Sequence, residues 1–181
     1  PIRPANPYAA GKACQEAIAH AYWRTFDVPV VITNTMNLIG ERQHAEKFVP
    51  LVIRSVLDDQ VVRIHADARR ERSGTRFYIH CRNFASALQF LIDADTNGQY
   101  TAPFPLKLHV GGEREISNLD LALMIAEIVG KPLNYELVDF HSSRPGHDLA
   151  YRMTGEKMAK MGWVPRRGIE EELKQIVESY I

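Results

Sequence analysis

"VPVVITNTMN", Val28 to Asn37, is the stretch that decides the fold, together with "EKFVPLVIRSVLDD", Glu46 to Asp59, a few residues later. The first is a continuous β-branched run. It reads as a strand buried on both faces, as in a parallel sheet. The second reads as a helix with Pro50 in its first turns. A helix is also expected before the strand, from about Pro7 to Phe26. Asn6 is a good N-cap, and proline follows at the first helical position. Ala10, Cys14, Ala17, Ile18 and Ala21 recur on it at helical spacing and form a face small enough for another helix to approach closely.

The same alternation continues along the chain. "VVRIHAD" and "TRFYIHC" read as strands flanking the arginine-rich loop "ARRERSGTR". "NFASALQFLIDAD" reads as a helix capped by Asn83, with Gly98 just past its end. "LKLHVGG" reads as a strand. "SNLDLALMIAEIVGK" reads as a helix capped by Ser117 or Asn118 and stopped by Gly130. "LNYELVDF" reads as a strand, "SSRPGHD" as a polar loop, and "TGEKMAKMGW" and "GIEEELKQIVESYI" as the last helices. Strands alternating with helices predict an α/β fold.

Composition excludes several classes. The 181 residues are 45% hydrophobic and 24% charged, enough to bury a core. Formal net charge is zero, so there is no basic footprint for nucleic acid. The arginine-rich run reads as a solvated loop. Two cysteines, Cys14 and Cys81, make neither a disulfide framework nor a metal quartet, and suit a reducing, cytoplasmic compartment. The histidines lack ligand spacing, so no metal is expected. No run reaches the ~18 apolar residues of a membrane span, so no membrane partner is expected.

Tyr8 and Lys12, in "NPYAAGK", lie four apart and share a helix face. An ammonium beside a phenol favours the phenolate and so tunes the tyrosine as a base. The spacing alone fits a catalytic couple and an ordinary first turn alike. "HVGGERE" lacks the spacing of a dinucleotide fingerprint, and no Walker lysine follows a glycine loop.

Several ordered motifs together resemble the extended short-chain dehydrogenases, and within them the sugar-nucleotide epimerases and dehydratases, nearest the dTDP-glucose 4,6-dehydratases. They are "NPYAAGKACQEAI", "TNTMNLIGERQHAEKFVPLVI", "SNLDLA" and "SRPGHDLAYRMTGEKMAKMGWVP". The resemblance implies the C-terminal part of a Rossmann-type NAD-binding fold with a smaller α/β substrate-binding domain. Residues 1–37 would end the NAD-binding domain. Residues 38–181 would mainly bind the sugar nucleotide, with 77–95 packing back on the Rossmann part.

The resemblance also implies roles. Tyr8 is the acid/base, and Lys12 holds the nicotinamide ribose of NAD and tunes Tyr8. Leu38 stands where the family has a cofactor-contacting asparagine. Asn37, Lys47, Phe48 and Asn118 contact substrate. Arg63, Ile64 and His65 fall on a strand that packs on the nucleotide. Arg76 and Arg144, the latter beside His147, hold the diphosphate, a target that suits the guanidinium fork. The implied reaction is C4 oxidation of a nucleotide-bound hexose and loss of water to a 4-keto-6-deoxy sugar. A 4-epimerase or decarboxylase of the same family, and an inactive binding or oligomerisation module, are the alternatives. The family's glycine-rich turn and its water-eliminating Asp-Glu pair have no counterpart here. The chain therefore looks like the C-terminal portion of such an enzyme, inactive alone, with the parent a homodimer through the first helix.

Overall fold

The computed structural model describes residues 3–94, 105–140, 148–150 and 152–181. Helix α1 spans Pro7–Phe26. The Asn6 side chain accepts a hydrogen bond from the Ala9 amide at 2.9 Å, which satisfies one orphan donor of the first turn. Strand β1 is Val31–Thr35 and pairs in parallel with β6, Leu106–Val110. The expected fully buried strand over 28–37 is corrected here. β1 has five residues, all half-buried. Pro29 brings no N–H to a ladder, and β6 is the one strand partner of β1 among the described residues. α1 has no fully buried residue, and a 2.6 Å ion pair from Lys107 of β6 to Glu16 ties it to the strands.

Most of the interior lies around α2 (Phe48–Leu57), β3 (Val62–Ala66), α4 (Asn118–Val129), β8 (Tyr135–Asp139) and the last helix, α6 (Ile169–Glu178). β3 pairs in parallel with β8. Its alternation is plain: Val62, Ile64 and Ala66 point inward, while Arg63 points to solvent. Ile53, Ile64, Leu121, Ile125, Leu173 and Ile176 are completely covered. Burial of each such side chain stabilises the fold by about 1.5–3 kcal/mol. Ser117 caps α4 through its hydroxyl, and Gly130 ends it at φ 79°, as its position in the sequence requires.

A second cluster joins Ile79, Ala87, Leu91, Leu108, Val110, Met158 and Trp163, with Val31 and Leu38 at its margin. It collects α3 (Cys81–Asp93), β6 and the short helix α5 (Glu156–Lys160).

"TRFYIHC" is not one strand, contrary to the sequence expectation. β4 (Thr75–Arg76) pairs antiparallel with β7 (Ile116–Ser117), and β5 (Ile79–His80) pairs in parallel with β2 (Leu38–Ile39). The break has a packing cause. Tyr78 belongs to the first core and Ile79 to the second, so the chain changes layers between them.

Asn83 is not the cap of α3. His80 is, through Nδ1 accepting from the Arg82 amide at 3.1 Å. Asn83 lies inside the first turn, buried. Its amide donates to the Arg167 carbonyl and its oxygen accepts from the Arg166 amide, stapling α3 to the segment after Trp163. Gly98 and the "SSRPG" part of the polar loop lie outside the described residues.

Candidate functional site

Tyr8 and Lys12 share the outer face of α1. The Lys12 ammonium sits 5.8 Å from the centre of the Tyr8 ring, and the ring is 70% exposed. Lys12 also donates to Gln15 at 3.2 Å. The helix thus presents a phenol and a cation side by side, open to a ligand.

Asn37 and Leu38 lie where β1 passes into β2. The Asn37 carbonyl accepts from the Ile79 amide at 3.1 Å, its side chain is exposed, and Leu38 is half-buried. Lys47 is the N-cap residue of α2 and Phe48 its first residue. Lys47 is exposed and pairs with Glu46 at 3.5 Å.

A further group assembles where β3, β4 and α4 meet. His65 stacks at a tilt on Phe140, with ring centres 5.3 Å apart, and its carbonyl accepts from the Gly74 amide. The Gly74 carbonyl in turn accepts from the Asn118 amide at 2.8 Å. The Asn118 side chain accepts from the Tyr78 hydroxyl at 2.8 Å. Arg76 donates to the carbonyls of Thr75, Leu149 and Asp148 at 2.7, 2.6 and 3.1 Å. Arg76 therefore holds the segment that follows the "SRPGH" stretch by its backbone. Arg63 projects to solvent and pairs with Glu136. Ile64 is wholly buried, so only its backbone can face a ligand. Arg144 and His147 lie outside the described residues.

Glu115 of the segment before β7 was not marked by any motif. It accepts from the Thr75 hydroxyl and pairs with Arg152 at 2.9 Å. The Thr75 hydrogen bond, with the Arg152 guanidinium next, holds its carboxyl below the usual carboxylate range. Only the threonine-to-glutamate separation of 40 residues conceals it from a sequence pattern. The arginine-rich loop is exposed at Arg69, Arg70 and Arg72, as a solvated loop should be, and is turned by Asp67 accepting from the Glu71 and Arg72 amides. No helix of the described residues is long and apolar enough to cross a membrane.

The sequence model of the GDP-mannose 4,6 dehydratase family matches residues 1–176. The chain belongs to that family. Among its relatives is the dTDP-glucose 4,6-dehydratase of Actinoplanes sp., 33% identical over 181 residues, covering 99% of this chain and 52% of that protein. The Haemophilus influenzae dTDP-glucose 4,6-dehydratase is 30% identical and covers 100% of this chain and 53% of its own length. The chain thus spans about half the length of the curated relatives it matches. The solved dTDP-glucose 4,6-dehydratase of Bacillus anthracis, in complex with NAD, superposes with a TM-score of 0.81 at 26% identity, covering 99% of this chain and 53% of that one. A UDP-glucose 4-epimerase from Thermus thermophilus, also with NAD, superposes at 0.83 with 22% identity over 98% of this chain and 55% of its own, a likeness of fold alone. The architecture is accordingly that of the Rossmann-type NAD-binding dehydratases and epimerases.

Proposed function

We propose that this chain is the tyrosine-bearing and substrate-binding part of an NAD-dependent sugar-nucleotide 4,6-dehydratase, a lyase. The observation that carries the reading is the open Tyr8–Lys12 pair on α1 of a chain in this family. Residues 1–37 contribute to the NAD-binding domain. Residues 38–181 mainly hold the nucleotide sugar, with 77–95 packing back toward the first part.

The donor set fits one end of NAD. A hydroxyl and an ammonium on one exposed helix face suit the ribose beside the nicotinamide, and Leu38 offers an apolar neighbour. When bound, NAD supplies a two-electron acceptor for C4 of the sugar. Tyr8 takes the proton of the C4 hydroxyl as the carbonyl forms. Lys12 stands beside it, 5.8 Å from the centre of its ring, where it reaches the same ligand. Asn37, Lys47, Phe48 and Asn118 orient the sugar, and the β3 residues Arg63, Ile64 and His65 lie along the nucleotide. Arg76 and Arg144, with His147, meet the diphosphate. The dehydratase relatives favour loss of water across C5 and C6 over simple epimerisation. The 181 residues alone, without a glycine-rich phosphate turn, do not turn over substrate.

The exposed apolar residues of α1, Ile18, Tyr22 and Phe26 among them, favour a homodimer through this helix. A cytoplasmic location suits the two free cysteines. The test is direct. The chain joined to a family NAD-binding half should convert dTDP-glucose, with NAD, to a product lighter by one water. A 4-epimer of unchanged mass would favour the epimerase reading, and tight nucleotide-sugar binding without any reaction would favour the inert module.

A further inference from the structure

The parallel pairing of β2 with β5 sets Leu38 beside Ile79 and Ile39 beside His80. Residues just past the two strand ends are therefore neighbours: Gly40 follows β2, and Cys81 follows β5. A methyl group built on Gly40 would fall 2.7 Å from the Cys81 sulfur and 3.7 Å from His80 Nε2, so the missing side chain leaves sulfur and ring facing an open backbone. Glu41 comes next and brings its Oε2 to 3.2 Å from Nε2. A ligand atom from each of Glu41, His80 and Cys81 thus lies within 4.8 Å of the other two. Sequence spacing gives no sign of this group, because only the strand pairing carries Glu41 to the adjacent His80 and Cys81.

The ring is the informative member. His80 is 1% exposed, and its Nε2 has no hydrogen-bond partner among the described residues. The Glu41 oxygen is near enough for a hydrogen bond but lies off the direction such a bond needs. That relationship is the edge of a coordination shell. Two ligands at the ~2.0–2.2 Å nitrogen and oxygen distances of a tetrahedral zinc site stand roughly 3.3 Å apart, each aimed at the ion and not at the other. Arg82 holds Oε1 of Glu41 at 2.6 Å, which leaves Oε2 for an ion. Cys81 is exposed, so an ion has an entry path. Its sulfur, 3.7 Å from Nδ1, has room to close on the Nε2 side by rotating about its side chain. On the far side of the ring, Nδ1 accepts from the Arg82 amide at 3.1 Å and lies 3.4 Å from Glu172 of α6. Neither oxygen of that buried carboxylate has a hydrogen-bond partner among the described residues.

We propose that Glu41, His80 and Cys81 bind a divalent cation of the zinc class through Oε2, Nε2 and Sγ, with a water in the fourth position. Thiolate, imidazole and carboxylate together select a borderline-soft ion over magnesium or calcium. The charges balance: carboxylate and thiolate neutralise the dication, and Arg82 offsets the buried Glu172. Loading sends the thiol proton to water and leaves the ring's single proton on Nδ1. There it donates to Glu172, the kind of carboxylate partner that metal-bound histidines commonly have. The Arg82 amide, at an exposed residue in the first turn of α3, passes to water. The ion ties the end of β2 to the start of α3, and so fixes the segment that runs from Leu38 to Lys47.

The experiment titrates the 181-residue chain, stripped of metal by a chelator, with Zn²⁺ and with Co²⁺. One equivalent of either should bind with micromolar or tighter affinity, and Co²⁺ should develop a thiolate-to-metal charge-transfer band. Cys81→Ser should abolish that band, and Glu41→Gln should weaken binding at least ~10-fold. Cys14→Ser, which alters the other cysteine, should change neither. Nitrogen NMR of the Zn²⁺-loaded chain should place the metal on Nε2 of His80 and shift the Arg82 amide. Zn²⁺ at a hundredfold excess over its dissociation constant should raise the folding constant by up to ~100-fold in urea unfolding. A band that survives Cys81→Ser, or a His80 ring unmoved by Zn²⁺, overturns the proposal, and so does binding to the wild-type chain weaker than micromolar. If a variant does not fold, the Co²⁺ band and the His80 spectra of the wild-type chain decide.

Discussion

A methyl group built on Gly112 would fall 1.9 Å from the carbonyl oxygen of Tyr78. The second glycine of "HVGGERE" is therefore a close approach between two backbones, not a phosphate cradle. The Tyr78 backbone cannot yield easily. Its ring is buried in the first core, its hydroxyl holds Asn118, and the next residue starts β5. Gly112→Ala should destabilise the chain by at least ~2 kcal/mol, the upper part of the overpacking range. Gly155→Ala, where nothing lies within 4 Å, should change little. Urea midpoints of the two variants check the contrast.

Tyr8→Phe keeps the ring and removes the hydroxyl proposed as proton acceptor. In the intact enzyme, C4 oxidation should slow by ~100- to 10,000-fold with the fold and nucleotide-sugar affinity unchanged. Lys12→Met should slow it too and weaken NAD binding. Single-turnover NAD reduction measures both. Near-normal reduction by Tyr8→Phe would make "NPYAAGK" an ordinary first turn.

Arg76→Ala should have two effects, because Arg76 also holds the backbone at Asp148 and Leu149. Nucleotide-sugar affinity should fall on the order of ten- to a hundredfold. Amide exchange at residues 148–150 should quicken even without ligand. NAD affinity should barely move. A loss of NAD affinity with substrate affinity intact would reverse the assignment.

Glu115 sets an acid limit. Its folded carboxyl is held below the ordinary value by the Thr75 hydroxyl first and Arg152 second. A depressed carboxylate stabilises the fold above its unfolded value of about 4.3 and loses that contribution as pH falls through the folded one. Glu115→Gln should lose this part of the acid-side dependence. Unfolding midpoints from pH 6 down to pH 3 would show it, and an unchanged acid slope would refute it.

Ala17 lies exposed on α1 near Ile18, which is 57% exposed. A charge there should block a helix-to-helix dimer. Ala17→Arg in the intact protein is expected to sediment as a monomer, while an undiminished dimer would move the interface elsewhere.

The sequence alone carried whatever depends on neighbours along the chain. The Asn6 cap before Pro7 and the Gly130 stop follow from local hydrogen bonding and backbone freedom and are found as read, and Ser117 is the cap where the sequence left Ser117 or Asn118 open. The family was legible for a related reason: its motifs are short, ordered and contiguous. Tertiary structure decided what depends on distant groups. "TRFYIHC" looks like one strand because its residues favour β structure, yet Tyr78 and Ile79 are drawn into different cores and the strand divides. Asn83 has the chemistry of a cap, but burial beside Arg166 and Arg167 claims its amide, and His80 takes the cap instead. The contacts of His80 with Glu41 and Glu172 join residues far apart in sequence, and no periodicity announces them. A side chain's local preference is worth a few tenths to about one kcal/mol, while its burial and pairing are worth more, so where the two disagree the packing prevails.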